Sequence, residues 1–108
     1  QFEKSSSIRE RVIRAREIQE ERYKKSEGIY ANAQMSSKQL KELCVISSAG
    51  SSLLKAAMEK LNLSARAYDR ILKVSRTIAD LAASEDIKPE HLAEAIQYRS
   101  LDREGWGA

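Results

Sequence analysis

Arg66, Arg70, Lys73 and Thr77 succeed one another at spacings of four, three and four residues, the repeat that stacks side chains along one face of a helix. Three cations on one line suit an anion, because a guanidinium offers a fixed fork of donors and stays charged. Arg66 stands in an unusual place. It follows Ser64, a residue type that caps helix N-termini. The partial positive charge of a helix start disfavours a cation in the first turn by about 0.3 kcal/mol or more, unless a carboxylate or an anion faces it. Two readings stay open for Arg66 at this point: an ion pair within the domain, or a site for an outside anion. Arg70 and Lys73 extend the line one and two turns further along the helix.

Other chemistries are missing from the chain. It holds no phosphate loop of the G-x-x-x-x-G-K-[ST] kind, no G-x-G-x-x-G, no H-E-x-x-H and no calcium loop. A single cysteine, Cys44, excludes an intrachain disulfide, and with His91 the sole histidine a zinc site is not expected. Cys44 reads as a small buried hydrophobe and His91 as a surface or capping residue at the start of the last helix. Asp69 and Asp80 read as part of a solvated, salt-bridged face. No metal site and no catalytic residue are expected in these residues, so the chain alone is not an enzyme.

The elements that must position the basic line follow from periodicity and punctuation. With 108 residues, 42% hydrophobic and 32% charged, and only four Gly and one Pro, the chain reads as one all-α domain. Its net charge of +3 comes from 19 basic residues interleaved with 16 acidic ones, which is not the pattern of a dedicated nucleic-acid arm. Ser7 with Glu10 reads as a capping box opening a first helix to about Lys25, and Ser36 with Gln39 as a second box opening a short helix to about Ile46. Ser47, Ser48 and Gly50 interrupt the pattern before a third helix through Leu53, Leu54, Ala57, Met58 and Leu61 to about Asn62. A long central helix spans about 64–84, with Ala67, Ile71, Val74, Ile78 and Leu81 on its buried face and Tyr68, Leu72, Ser75, Ala79 and Ala82 widening it. Pro89 begins a last helix that ends near Tyr98 or Arg99. This predicts a five-helix bundle over 1–101, with a flexible tail over 102–108. The opening at Gln1, with no initiator Met, reads as that of an excerpt or a processed product. No apolar run approaches the ~20 residues that span a bilayer, and no signal-peptide core is present, so the expectation is a cytoplasmic protein with no membrane partner.

Four blocks in order resemble the C-terminal domain of magnesium-chelatase-like AAA+ ATPases: Ile8-Arg-Glu-Arg-Val12 with Ala15-Arg16 and Gln19; Asn32-Ala33; Ser64 through Leu81; and His91-Leu-Ala-Glu-Ala-Ile-Gln-Tyr-Arg99. In the last two blocks the wording is closer to the bacterial competence-type members than to the chlorophyll-pathway protein. One departure is Ser75, where Ala is expected before Arg76-Thr-Ile-Ala-Asp80. The resemblance implies a helical lid of the AAA+ type that closes over ATP and Mg2+ held by an upstream core. It implies that Arg66 is the second-sensor arginine that reaches the terminal phosphate, and that the parent is an ATPase working as a ring, a hexamer, with DNA a candidate partner of the parent. The fragment by itself binds no cofactor on this reading. The thin stripe of Val12, Ala15 and Gln19 flanked by Arg11 and Arg16 would suit docking to the core or the next subunit, which requires those side chains to be exposed. On the same resemblance Arg70 and Lys73 would touch a second phosphate or another subunit, the other reading for them being a solvated face. Two alternatives from other classes remain: a small basic helical DNA-binding module using Arg66, Arg70 and Lys73 together with the arginines of the first helix, and a helical adaptor that binds a partner helix through the first-helix stripe.

Overall fold

Residues 5–101 are described by a computed structural model, the side chains through residue 98. Among them lie five helices: α1 (Ser5–Tyr23), α2 (Ser37–Leu43), α3 (Ser48–Leu61), α4 (Ala65–Leu81) and α5 (Pro89–Leu101), with a 3-10 turn at Asn32–Gln34 between α1 and α2. The all-α expectation holds. The expected tail over 102–108 lies outside the described residues.

Helix α4 is the spine, packing against α5, α1, α2 and the 3-10 turn, while α3 packs against α5. Its start is the one read from the sequence, since the Ser64 hydroxyl accepts the Ala67 N–H at 3.2 Å. The buried arc is rotated from the expected one. Ile71, Leu72, Ser75 and Ala79 are buried and join Leu54, Ile87, Leu92 and Ala95 in the core, whereas Val74 and Tyr68 lie at the exposed margins. The rotation has a cause on the other flank: Arg76 and Asp80 are buried too, at 6% and 1% exposure, which turns the helix toward α1 and the 3-10 turn. Ser75 fits where Ala is expected because its hydroxyl donates to the Leu72 carbonyl at 2.8 Å, satisfied by its own helix.

Several boundaries differ from the expectation, each for a local reason. Helix α1 is already helical at Ser5, so the Ser7–Glu10 pair lies inside it; a serine caps only where the backbone turns extended, and neither Gly nor Pro enforces that here. Ser36 and Gln39 do form the reciprocal box, Ser36 Oγ accepting the Gln39 N–H at 3.2 Å and Gln39 Oε1 accepting the Ser36 N–H at 3.1 Å. Helix α2 then stops at Leu43, because Ile46 leaves to form a lone parallel β-bridge with Ile87. The triplet Ser47, Ser48 and Gly50 is no interruption. Ser47 caps α3 by accepting the Gly50 N–H at 3.2 Å, and Gly50 lets α3 approach α5 so closely that a Cβ there would sit 2.8 Å from Leu92 Cδ1. His91 is buried, not at the surface, and it does act at the cap: its Nδ1 accepts the Lys88 N–H at 2.9 Å ahead of Pro89. The last helix runs beyond Arg99 to Leu101.

Helix α4 ends at Leu81 rather than Ser84, in a Schellman motif: the Ser84 N–H reaches the Ala79 carbonyl at 2.8 Å and the Ala83 N–H the Asp80 carbonyl at 3.0 Å. Ala83 occupies the left-handed position at φ 56°, where an L side chain is strained and glycine is not. Ala83→Gly should therefore stabilise the domain by about 0.5–1 kcal/mol, read as a higher urea midpoint at unchanged slope; an equal or lower midpoint would contradict the assignment. Cys44 is buried as expected, and burial pushes its thiol from 9.0 up to about 11. The folded state thus holds that proton more tightly than the unfolded chain, so stability is full below about pH 9 and is lost toward pH 11. Tyr23, raised above 10.0 mainly by burial, acts in the same direction. Unfolding free energies from urea melts should fall across this window by up to about 1.4 kcal/mol per pH unit for each proton, and that of Cys44→Ala should fall less steeply than that of the wild type.

Candidate functional site

The polar face of α4 divides into two parts that periodicity alone treats as one. Toward its C-terminus the face is roofed by α1 and the 3-10 turn, with the carboxylate of Asp80 at the centre. Arg22 grips that carboxylate with both nitrogens, Nη1 to Oδ2 at 2.8 Å and Nη2 to Oδ1 at 2.7 Å. Arg76 Nε approaches Oδ1 to 3.3 Å without hydrogen-bond geometry, and that Nε is buried with no other acceptor. Asn32, 1% exposed, completes the cluster: its Nδ2 donates to Asp80 Oδ2 at 2.9 Å and Thr77 Oγ1 at 3.0 Å, and its Oδ1 accepts from Tyr23 at 2.7 Å and Arg22 at 2.9 Å. The Asn32 N–H donates to Gln19 Oε1 at 3.1 Å. The hydrogen bonds to Asp80 hold the Arg22 guanidinium above its usual range, burial opposing them. Arg76 turns its remaining donors to main-chain carbonyls, Ser84 at 2.8 Å, Glu85 at 3.0 Å and Leu43 at 3.4 Å, and so ties the α4–α5 connection and the end of α2 to the spine.

Asp80 is therefore not on a solvated face, which corrects the reading from sequence. Nor does the sequence pattern give Arg22, Tyr23, Asn32 and Arg76 a role in a shared polar cluster. A signal is present: Arg76 and Asp80 are four residues apart at the edge of the apolar arc, the geometry of an intrahelical ion pair that a roof can bury. What covers that edge depends on a turn more than forty residues upstream, which periodicity does not reveal.

Toward the N-terminus the same face is open. Lys73 is half-buried and donates to the Ala33 carbonyl at 3.3 Å, and Thr77 is engaged by Asn32, so these two are occupied in holding the 3-10 turn. Arg66 and Arg70 are exposed, and no hydrogen bond or ion pair to their side chains is found among the described residues. An intradomain ion pair of Arg66 is thus not formed there. Arg66 lies where Ser64 has already capped α4, with donors free toward solvent. No group of three or more metal-ligating side chains exists among the described residues, and no helix there is long and apolar enough to cross a membrane.

The residues expected to dock elsewhere separate in the same way. Ala15 is 4% exposed and Gln19 is engaged by Asn32, so both face their own domain, as the crossing of α1 over α4 requires. For those two the docking expectation is not met. Arg11 is half-buried, Arg16 is exposed and Val12 is 39% exposed, near the exposed Ile8 and Ile13. Arg16 also lines a groove of about 690 Å³ between α1 and the segment that follows it, which Arg66 does not line. Its rim mixes Lys24 and Lys25 with Glu20 and Glu27, so it presents no strong field of one sign.

Residues 2–99 match the family model described as magnesium chelatase, ChlI subunit, C-terminal. Competence protein ComM of Haemophilus influenzae is 46% identical over 101 residues, which cover 94% of this chain and 19% of that protein. An uncharacterized protein of Escherichia coli, YifB, is 40% identical over 101 residues with the same coverage, and an uncharacterized protein of Mycobacterium tuberculosis, Rv2897c, is 34% identical over 97 residues. The chain spans about a fifth of the length of these relatives.

The two parts of the α4 face should respond in opposite ways to substitution. Asp80→Ala leaves the buried Arg76 and the half-buried Arg22 guanidiniums without their carboxylate and should cost about 3–5 kcal/mol, a large share of the 5–15 kcal/mol typical of a domain. Arg66→Ala should change stability by less than about 0.5 kcal/mol. Urea melts of both variants decide it: a mild Asp80→Ala would mean that the cluster is wetter than its burial indicates.

Proposed function

Because the chain belongs to the family of magnesium chelatase C-terminal domains, we propose that it is the helical lid of a chelatase-like AAA+ ATPase and that Arg66 is its phosphate-sensing arginine. One observation carries this reading. Arg66 is a cation in the first turn of the spine helix, exposed and unpaired among the described residues, at a place where the helix start disfavours a cation unless an anion joins it. The guanidinium suits a terminal phosphate because its donors form a fork and its charge does not titrate away. Nothing among the described residues fits Mg2+, so the metal and most of the nucleotide would be held by the core of the longer parent. Bound ATP and Mg2+ supply the transferable phosphoryl group and its countercharge. This chain supplies one more positive charge, aimed from the lid, that steadies the charge developing on the phosphate.

A lid that touches the terminal phosphate sits differently when that phosphate is absent, which links hydrolysis to motion between domains and between subunits of a ring. Arg70, one turn along the helix, would touch a second phosphate or a neighbouring subunit. Lys73, already tied to the Ala33 carbonyl, is the weaker candidate for such a role. The exposed end of α1, with Val12 and Arg16, would meet the core or the next subunit. DNA is a candidate partner of the parent, reached through other parts of the ring.

The test is ATP turnover by the full-length protein with Arg66→Ala against wild type, with melting curves beside it. Turnover should fall at least tenfold, roughly 1.4 kcal/mol in the barrier, at an unchanged midpoint. Unchanged turnover would remove Arg66 from the phosphate. Loss of DNA affinity without loss of turnover would favour the DNA-binding alternative.

A further inference from the structure

From Arg66 to Asp80 in the buried cluster the helix runs unbroken for fourteen residues, about 21 Å at 1.5 Å per residue. We infer that the Arg22–Asn32–Asp80 cluster is the fulcrum that aims Arg66, with Arg22, Asn32 and Thr77 acting as positioning residues for phosphate contact. This inference rests on the proposed role of Arg66 and adds the residues that set its place.

Described contacts do not hold the Arg66 side chain, so its position is set by the direction of α4 as a rod. Relative to α1 that direction is fixed at one end of the rod, by Arg22, Tyr23 and Gln19 meeting Asn32 and Asp80, with Arg14 donating to the Leu81 carbonyl at 3.2 Å. The other end of α4, on the N-terminal side of Lys73, carries no polar tie to α1 or to the 3-10 turn among the described residues. Ile71 and Leu72 pack the N-terminal half of α4 into the apolar core. What the polar ties near Asp80 set is therefore the angle between that body and α1, and a tie near one end amplifies angle into displacement. Turning α4 about the cluster by about 3° moves a point ~21 Å away by ~1 Å, and a misplacement of that size at a reacting centre can lower a rate by about 10²-fold. Three features of the cluster resist such a turn. The Arg22 fork is bidentate, so it fixes orientation as well as distance. Both ends of the Asn32 amide are engaged, which fixes its plane between α1 and α4. The network is buried, so water does not readily substitute for a lost partner.

The test uses the full-length protein and two variants that loosen angle more than they remove charge. Arg22→Lys keeps the ion pair with Asp80 and loses the fork. Thr77→Val keeps the volume and loses the hydroxyl that accepts from Asn32, and it carries the test if Arg22→Lys does not fold. Assays run below the melting midpoint of each variant. Each should lower kcat for ATP at least fivefold while KM stays within twofold, since the nucleotide is held mainly by the core. Each should change turnover less than twofold when Arg66 is already alanine, because a residue that acts through Arg66 has nothing left to aim. If Arg66→Ala slows turnover but the two variants do not, or if their losses multiply in full on the Arg66→Ala background, the fulcrum is wrong and the role of Arg66 stands. If Arg66→Ala leaves turnover unchanged, both fall together.

Discussion

A carboxylate buried between two guanidiniums is the constraint from which the rest of this structure follows. Asp80 is 1% exposed, and an unpaired charge at such depth would be prohibitive. It is tolerated because Arg22, Asn32 and Arg76 all meet it, each from a different direction. Through Asp80 and its two arginines, α1, the 3-10 turn, the end of α2 and the α4–α5 connection are all fastened to α4. The apolar core supplies the bulk of the folding free energy, but apolar packing is not directional. The arrangement of the roof over the spine is specified by these polar contacts.

Two arginines around one aspartate leave an excess of positive charge, and the fold meets it with helix ends. Leu43 closes α2, and its carbonyl, one of the last that a helix leaves unsatisfied, accepts from Arg76. The carbonyls of Ser84 and Glu85, just past the end of α4, accept from the same guanidinium. Arg14 does the same at the Leu81 carbonyl. Each of these cations lies on the negative side of a helix dipole, where it is favoured. Arg66 lies on the positive side of one, where it is not. The fold uses these cations at helix ends, whereas Arg66, at a helix start, meets no partner among the described residues.

What was legible in the sequence was local. Ser64, the Ser36–Gln39 pair and Pro89 act through neighbours a few residues away, and the helix starts they mark are found where they stand. The five helices follow from apolar periodicity, which records a face without saying what covers it. That is why periodicity centres the buried arc of α4 too near Val74, and why it puts Asp80 in solvent: both depend on the 3-10 turn and α1 lying over one edge of the helix. Ser7 illustrates the converse limit. It has the composition of a cap, yet a cap needs an extended backbone, and the helix is already formed at Ser5. At the basic line the pattern shows three equivalent cations, and only contact across forty residues separates Lys73, spent on the Ala33 carbonyl, from Arg66 and Arg70.

This separation bears on how such a domain can change without losing its work. Residues of the cluster contribute to stability and to orientation together, so a substitution there is felt twice. Arg66 meets none of these partners among the described residues, so its replacement is expected to leave the fold as it was. The cluster and Arg66 share one helix and do not touch, so what passes between them is the straightness and direction of α4 alone. A rigid helix transmits direction at no added free-energy cost, whereas a chain of side-chain contacts would require each link to hold. In the proposed lid, distance from the cluster would turn a small reorientation of α1 into a displacement large enough for a phosphate contact to register.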